Sequence, residues 1–142
     1  MRNRMSAPLE GKRTLVTGGS RGIGRGIAVA FARAGADVAL GYRRDQSAAD
    51  EVIAEIEGLG RKAVALAADV RDLDAMRALV QGSVDALGGL DVVVANAGVA
   101  SRFQPLHEVD PGYWQRVIDV DLVASSTRCT PRCPCCASSA RG

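Results

Sequence analysis

Short apolar runs alternate along the chain with longer stretches in which apolar residues recur at helical spacing. Residues 13–17 (RTLVT), residues 37–41 (DVALG), the run AVALAADV from Ala63 and the run LDVVVANAG from Leu90 predict four strands. Between them the 3.6-residue period predicts helices. The first covers residues 22–34, with Ile23, Ile27, Ala30, Phe31 and Ala34 as its apolar positions and Gly35 as a C-terminal turn. The second covers 47–57, with Val52, Ile53 and Ile56 apolar and an acidic outer face. The third covers 72–87, with Leu73, Met76, Leu79, Val80, Val84 and Leu87 on one side and Asp72 able to cap its start. A further helix begins near Pro111, whose ring suits a first turn, and carries Trp114, Val117, Ile118 and Val120, with Trp114 assigned to packing. Strict alternation of strand and helix implies parallel strands joined by right-handed crossovers. The expected class is α/β, a doubly wound parallel sheet that stops after about the fourth strand and its following helix.

Composition agrees with this layering. A length of 142 residues suits one domain, and 47% hydrophobic residues with only 4% aromatic ones imply a core of Ala, Val, Leu and Ile. A net charge of +2 gives no case for nucleic-acid or membrane-surface binding. No apolar run reaches the roughly 18 residues that span a bilayer. The opening MRNRMSAPLEGKR is charged with no apolar segment behind it, unlike a secretory signal, so a cytoplasmic location is expected.

The sharpest chemical signal is TLVTGGSRGIGRGIA, residues 14–28. Gly18, Gly22 and Gly24 stand between the first strand and the first helix as G-x-x-x-G-x-G. A tight turn there needs residues without a Cβ, and the free N–H groups of the helix start can then meet a phosphate. Gly-rich turns also merely end strands. The position of this one, at the C-terminal end of a parallel strand where such sheets bind ligands, favours the phosphate.

Four motifs in order resemble the short-chain dehydrogenase/reductase family over roughly residues 10 to 123. TGGSRGIG is similar to its cofactor turn T-G-x-x-x-G-x-G, and Asp69–Val70 to its adenine-contacting turn after the third strand. Asn96-Ala97-Gly98 resembles the motif after its fourth strand, and WQRVIDVDL the helix that follows. The resemblance implies a Rossmann fold and hydride transfer between an alcohol and a carbonyl, with a small-molecule substrate and NAD(H) or NADP(H) as cofactor. It implies cofactor contacts at Gly18, Ser20, Arg21, Gly22, Ile23, Gly24, Tyr42, Arg43, Asp69, Val70, Asn96, Ala97 and Gly98.

The second strand ends GYRRD, where NAD-binding proteins of this type carry an acid for the ribose 2′-OH. By resemblance Tyr42 takes that acid's place, followed by Arg43 and Arg44. A carboxylate would repel a 2′-phosphate, whereas guanidinium groups pair with it, and Arg21 adds a second positive group. NADP(H) is therefore expected, with NAD(H) as the alternative. Asp45 comes late for the ribose and reads as a turn or cap residue. His107 reads as a surface loop residue.

The family's chemistry also needs a tyrosine with a lysine four residues later, whose charge lowers the tyrosine's pKa. The chain has only Lys12 and Lys62, and neither follows Tyr42 or Tyr113 by four. Asp121 stands where the family usually carries a catalytic asparagine, and an ionised Asp cannot donate as an amide does. No catalytic residue is therefore assigned, and this chain is expected to be a truncated, inactive form. The alternatives are an NADP-binding regulatory module and a non-functional frameshifted product. After about Val123 the pattern gives way to ASSTRCTPRCPCCASSARG. The expected organisation is an incomplete dinucleotide-binding domain over 1–125 and an irregular tail over 126–142, the latter read as a frameshift. Zinc is the rival reading of that tail, but Cys-x3-Cys-x-Cys-Cys crowds its ligands without the paired spacing of a structural site, so no metal is assigned. An apolar fourth strand left at the sheet edge is expected to favour aggregation or a homo-oligomer.

Overall fold

In the computed structural model, which describes residues 7–99 and 104–123, the four apolar runs form one parallel sheet. Its strands are β1 (Arg13–Thr17), β2 (Asp37–Tyr42), β3 (Ala63–Ala67) and β4 (Val92–Val94), in the order β3-β2-β1-β4. In the register Leu15 lies opposite both Ala39 and Val93, and Leu40 lies opposite Ala65. The linking helices are α1 (Gly22–Arg33), α2 (Gln46–Gly58) and α3 (Leu73–Leu87). The expected Rossmann-type layering is thus present. The cysteine-rich segment 126–142 lies outside the described residues.

Strand side chains alternate between faces, so each face has its own core. Val16, Val38 and Leu40 pack with Ala28, Val29 and Ala32 of α1 and Ala49, Val52 and Ile56 of α2. Leu15 and Ala39 pack with Met76, Leu79, Val80 and Leu87 of α3. The central strands β1 and β2 are therefore covered on both sides, which is why they read as unbroken apolar runs.

Several expectations need correction. The buried face of α1 is Gly24, Ala28, Val29 and Ala32; Ala30 is exposed and Ile23 is 78% exposed. Small residues at 24, 28 and 32 let the helix approach the sheet closely, a role that a pattern weighted toward bulky side chains misses. Leu73, in the first turn of α3, is exposed rather than part of its buried side. β4 is only three residues long, because the chain turns away after Val94. Helix α4 (Pro111–Val117) starts at Pro111 as expected, capped by Asp110, but buries none of its residues. Trp114 is 51% exposed and so does not pack as expected; burial resumes at Val120 in the π-helical turn Ile118–Val123. His107 is exposed, in a short 3-10 turn.

β4 is an edge strand among the described residues, with β1 its only neighbour there and Val93 36% exposed. Asp91, just before it, ties its start to β1. The Asp91 carboxylate accepts from the Arg13 backbone N–H at 2.9 Å and from the Arg13 guanidinium at 2.8 and 2.9 Å. These bonds hold the Asp91 pKa down to about 2 and raise that of Arg13. Nearby, Arg61 pairs with Asp37 at 3.0 Å and with Glu10 at 3.2 Å. Asp37 also accepts from the Lys62 N–H at 3.0 Å, and its own N–H donates to the Lys12 carbonyl at 2.8 Å. The N-terminal ends of the strands are thus clamped by charge.

Candidate functional site

At the opposite, C-terminal ends of the strands the chain opens. β1 ends in Thr17, whose buried hydroxyl accepts from the N–H groups of Asn96 and Ala97, both at 3.1 Å, and donates to the Val94 carbonyl at 3.4 Å. The Asn96 amide in turn donates to the carbonyls of Thr17 at 3.0 Å and Gly18 at 3.3 Å. Together they pin the turn after β4 against the turn after β1. The strand order changes direction at this point, since β1 is followed across the sheet by β2 on one side and β4 on the other. That is the switch point where open α/β sheets form a crevice.

The glycine turn is required by space as well as by backbone angle. A Cβ on Gly24 would stand 2.1 Å from the Gly18 carbonyl oxygen and 2.5 Å from the Asn96 amide nitrogen. Gly18 has φ +65°, and a Cβ there would meet the Ala97 Cα at 2.9 Å. No side chain caps the start of α1, where Arg21 is the cap residue, and its first turn carries no acid. Its leading N–H groups, together with the helix dipole, leave a donor-rich, electropositive end at the turn.

A cavity of about 490 Å³ lies over this turn, within the usual range for a small-molecule or cofactor site. Every residue singled out from the sequence for the cofactor lines it: Gly18, Ser20, Arg21, Gly22, Ile23, Gly24, Tyr42, Arg43, Asp69, Val70, Asn96, Ala97 and Gly98. Arg44, Asp45 and Val120 line it too.

Most of the charges along its rim are paired. The Arg43 guanidinium lies 3.1 Å from the Asp69 carboxylate, and Arg71 reaches the same carboxylate at 2.6 Å. Hydrogen bonds from Arg71, reinforced by the charge of Arg43 and only partly opposed by burial, hold the Asp69 carboxyl well below the usual carboxylate range. Arg71 is raised in return. Arg21 pairs with Asp45. Asp45 is the N-cap of α2, accepting from the Ala48 N–H at 2.9 Å, so the cap reading holds, and the same side chain also faces the cavity. Arg44 forms no ion pair among the described residues. Asp121 accepts from the Val99 N–H at 2.9 Å, which ties the turn after β4 to the segment after α4.

The sequence profile of the short chain dehydrogenases matches residues 12–141. The chain belongs to the short chain dehydrogenase family. Among its relatives, hydroxynaphthalene reductase arp2 of Aspergillus fumigatus is 48% identical over 101 residues, 71% of this chain and 37% of that protein. A short chain dehydrogenase from Burkholderia cenocepacia J2315, solved in complex with NADP, is 43% identical with a TM-score of 0.80, over 85% of this chain and 49% of that one. Carveol dehydrogenase from Mycobacterium avium, solved in complex with NAD, is 31% identical with a TM-score of 0.85, over 95% and 53% respectively. This short chain dehydrogenase sequence thus spans about half the length of the relatives it matches.

Around this cavity, sequence reasoning misses two things. Thr17 stands in the glycine motif with no role that spacing reveals, because its partners Asn96 and Ala97 lie 79 and 80 residues away and only the fold joins them. The pairing of Arg21 and Arg43 with carboxylates was also invisible, because it depends on which loop ends meet at the cavity rim. No helix of the described residues is long and apolar enough to cross a membrane.

Proposed function

We propose that these residues are the cofactor-binding portion of an oxidoreductase acting between small alcohols and carbonyls, with NADP(H) preferred to NAD(H). The observation that carries this is that an uncapped helix start, a glycine turn without room for a Cβ and three arginines come together in one cavity. A dinucleotide fits these donors. The backbone of Gly18, Ser20, Gly22, Ile23 and Gly24 would hold the pyrophosphate against α1. Tyr42, Arg43 and Arg21 would face the adenosine ribose and its 2′-phosphate, with Asp69 and Val70 at the adenine. Asn96, Ala97 and Gly98 would let the backbone approach the second ribose. When bound, the nicotinamide supplies the hydride; the chain's own residues bind and orient it.

Proton transfer to the substrate oxygen is a separate matter. Four residues after Tyr42 stands Gln46, and four after Tyr113 stands Val117, so neither tyrosine has the lysine that would prepare it. Asp121 already accepts a backbone N–H and offers no amide donor. On this reading residues 1–125 form the binding unit, in the cytoplasm, and the 142 residues by themselves bind cofactor without turning over substrate. That absence also keeps a purely regulatory, nucleotide-binding role as the second reading.

Calorimetric titration tests the assignment. Wild type should bind NADPH more tightly than NADH, and Arg43→Ala should remove most of the difference, since charge-assisted bonds of this kind contribute roughly 1.5–3 kcal/mol. Equal affinities in wild type would end the NADP assignment. Cofactor-dependent reduction of a panel of carbonyl compounds by the pure chain would overturn the inactive reading.

A further inference from the structure

Arg21 rises from the glycine turn and Asp45 from the start of α2, 24 residues later, and the two side chains meet at the cavity rim. Both line the cavity, and the cofactor reading turns Arg21 toward the adenosine ribose and its 2′-phosphate. A guanidinium already held by a carboxylate is a poorer partner for a phosphate, and the carboxylate itself repels a phosphate dianion at short range. We propose that Asp45 is a specificity-determining residue that masks Arg21, so that binding a 2′-phosphate requires displacing the Asp45 carboxylate while binding a ribose 2′-OH does not. This inference rests on the dinucleotide reading of the cavity.

The geometry around Asp45 provides a selective probe. One carboxylate oxygen pairs with Arg21 and the other accepts from the Ala48 N–H, capping α2. Asparagine caps helices as well as aspartate does, so Asp45→Asn keeps the helix start and removes the negative charge. Arg43 and its partner Asp69 are untouched by this change.

The magnitude follows from exposure. Arg21 is 70% exposed and Asp45 37% exposed at the side chain. Exposed ion pairs shift equilibria only by a few fold and are weakened by salt. Loss of the mask should therefore raise the preference for a 2′-phosphate about two- to fivefold at low ionic strength, and less at high salt.

The experiment compares adenosine 2′,5′-bisphosphate with adenosine 5′-monophosphate, which differ only in the 2′-phosphate, by calorimetric titration. Wild type, Asp45→Asn, Arg21→Ala and the double variant are each titrated, with thermal melts to check that the Asn variant remains folded. The affinity ratio should rise in Asp45→Asn, fall in Arg21→Ala and show a smaller Asp45 effect in the Arg21→Ala background, where only the direct repulsion of the phosphate remains. A ratio unchanged by Asp45→Asn overturns the proposal while leaving the dinucleotide reading in place. So does an Asp45→Asn variant that loses affinity for the monophosphate alone, because Asp45 would then be a ribose ligand. A wild-type ratio near one that rises in Asp45→Asn supports the mask and removes only the NADP preference. If neither nucleotide binds wild type or the variant, the reading of the cavity and the proposal fall together.

Discussion

Replacing Thr17 with valine tests how the crevice is held open. Valine has nearly the same shape, so the packing at the end of β1 is kept and only the hydroxyl is lost. That hydroxyl is the acceptor for two backbone N–H groups, those of Asn96 and Ala97, each at 3.1 Å. Leaving a buried donor without an acceptor costs about 1–3 kcal/mol. Asn96 and Ala97 are only half-buried, so water can reach part of this loss and each donor belongs at the low end. The sum is then about 2 kcal/mol, which for a chain of this size lowers Tm by roughly 5–10 °C. Thr17→Ser keeps the hydroxyl and should retain most of the stability. The assay is a pair of thermal melts followed by circular dichroism, with NADPH titration as a second readout. The Val variant should bind more weakly, because the turn carrying Asn96 and Gly98 is then pinned to β1 only through the Asn96 amide. A Val variant melting within roughly 2 °C of wild type would refute the reasoning. A Ser variant as damaged as the Val variant would do so as well, since the methyl group would then be carrying the effect.

Gly24→Ala should abolish nucleotide binding and lower Tm, because its Cβ would stand 2.1 Å from the Gly18 carbonyl oxygen and the turn must move; titration and melting check both, and unaltered affinity would contradict the close approach. The Asp91 carboxyl is depressed in the folded chain to about 2, against about 3.9 when unfolded. Its contribution is therefore complete above about pH 4 and is lost as pH falls toward 2. Urea midpoints measured across that range should fall less steeply for Asp91→Asn than for wild type, while Asp69 keeps part of the slope; identical slopes would count against the Arg13 clamp.

Sheet and helix order were legible because the two periods, one for strands and one for helices, are carried by Val, Leu and Ile at β1, β2, α2 and most of α3. The face of α1 was legible only in part: Ile27 and Phe31 do pack against the core, but Gly24, Ala28 and Ala32 are small and leave no bulky signature. Trp114 misled in the other direction: a large aromatic suggests packing, yet the short helix that carries it buries nothing. At the site, the glycine spacing and the order of motifs were enough to find many of the residues that line the cavity, since backbone geometry dictates both. What spacing cannot encode is which long side chains meet across loops. Arg21 with Asp45, Arg43 with Asp69, and Thr17 with Asn96 are each brought together by the crossovers.

The charged clamp at the far end of the sheet has a practical side. Lys12 and Lys62 are the only lysines in the chain; both are exposed, and each immediately precedes a strand at that end. All strands are parallel, so both amines sit at the pole away from the glycine turn. Chemistry aimed at lysine side chains, such as coupling to a sensor chip or attachment of a fluorophore, would anchor the molecule by its base and leave the cavity mouth turned toward solution. The sheet's single direction makes the molecule an oriented object, with a built-in handle on one end and its binding surface on the other.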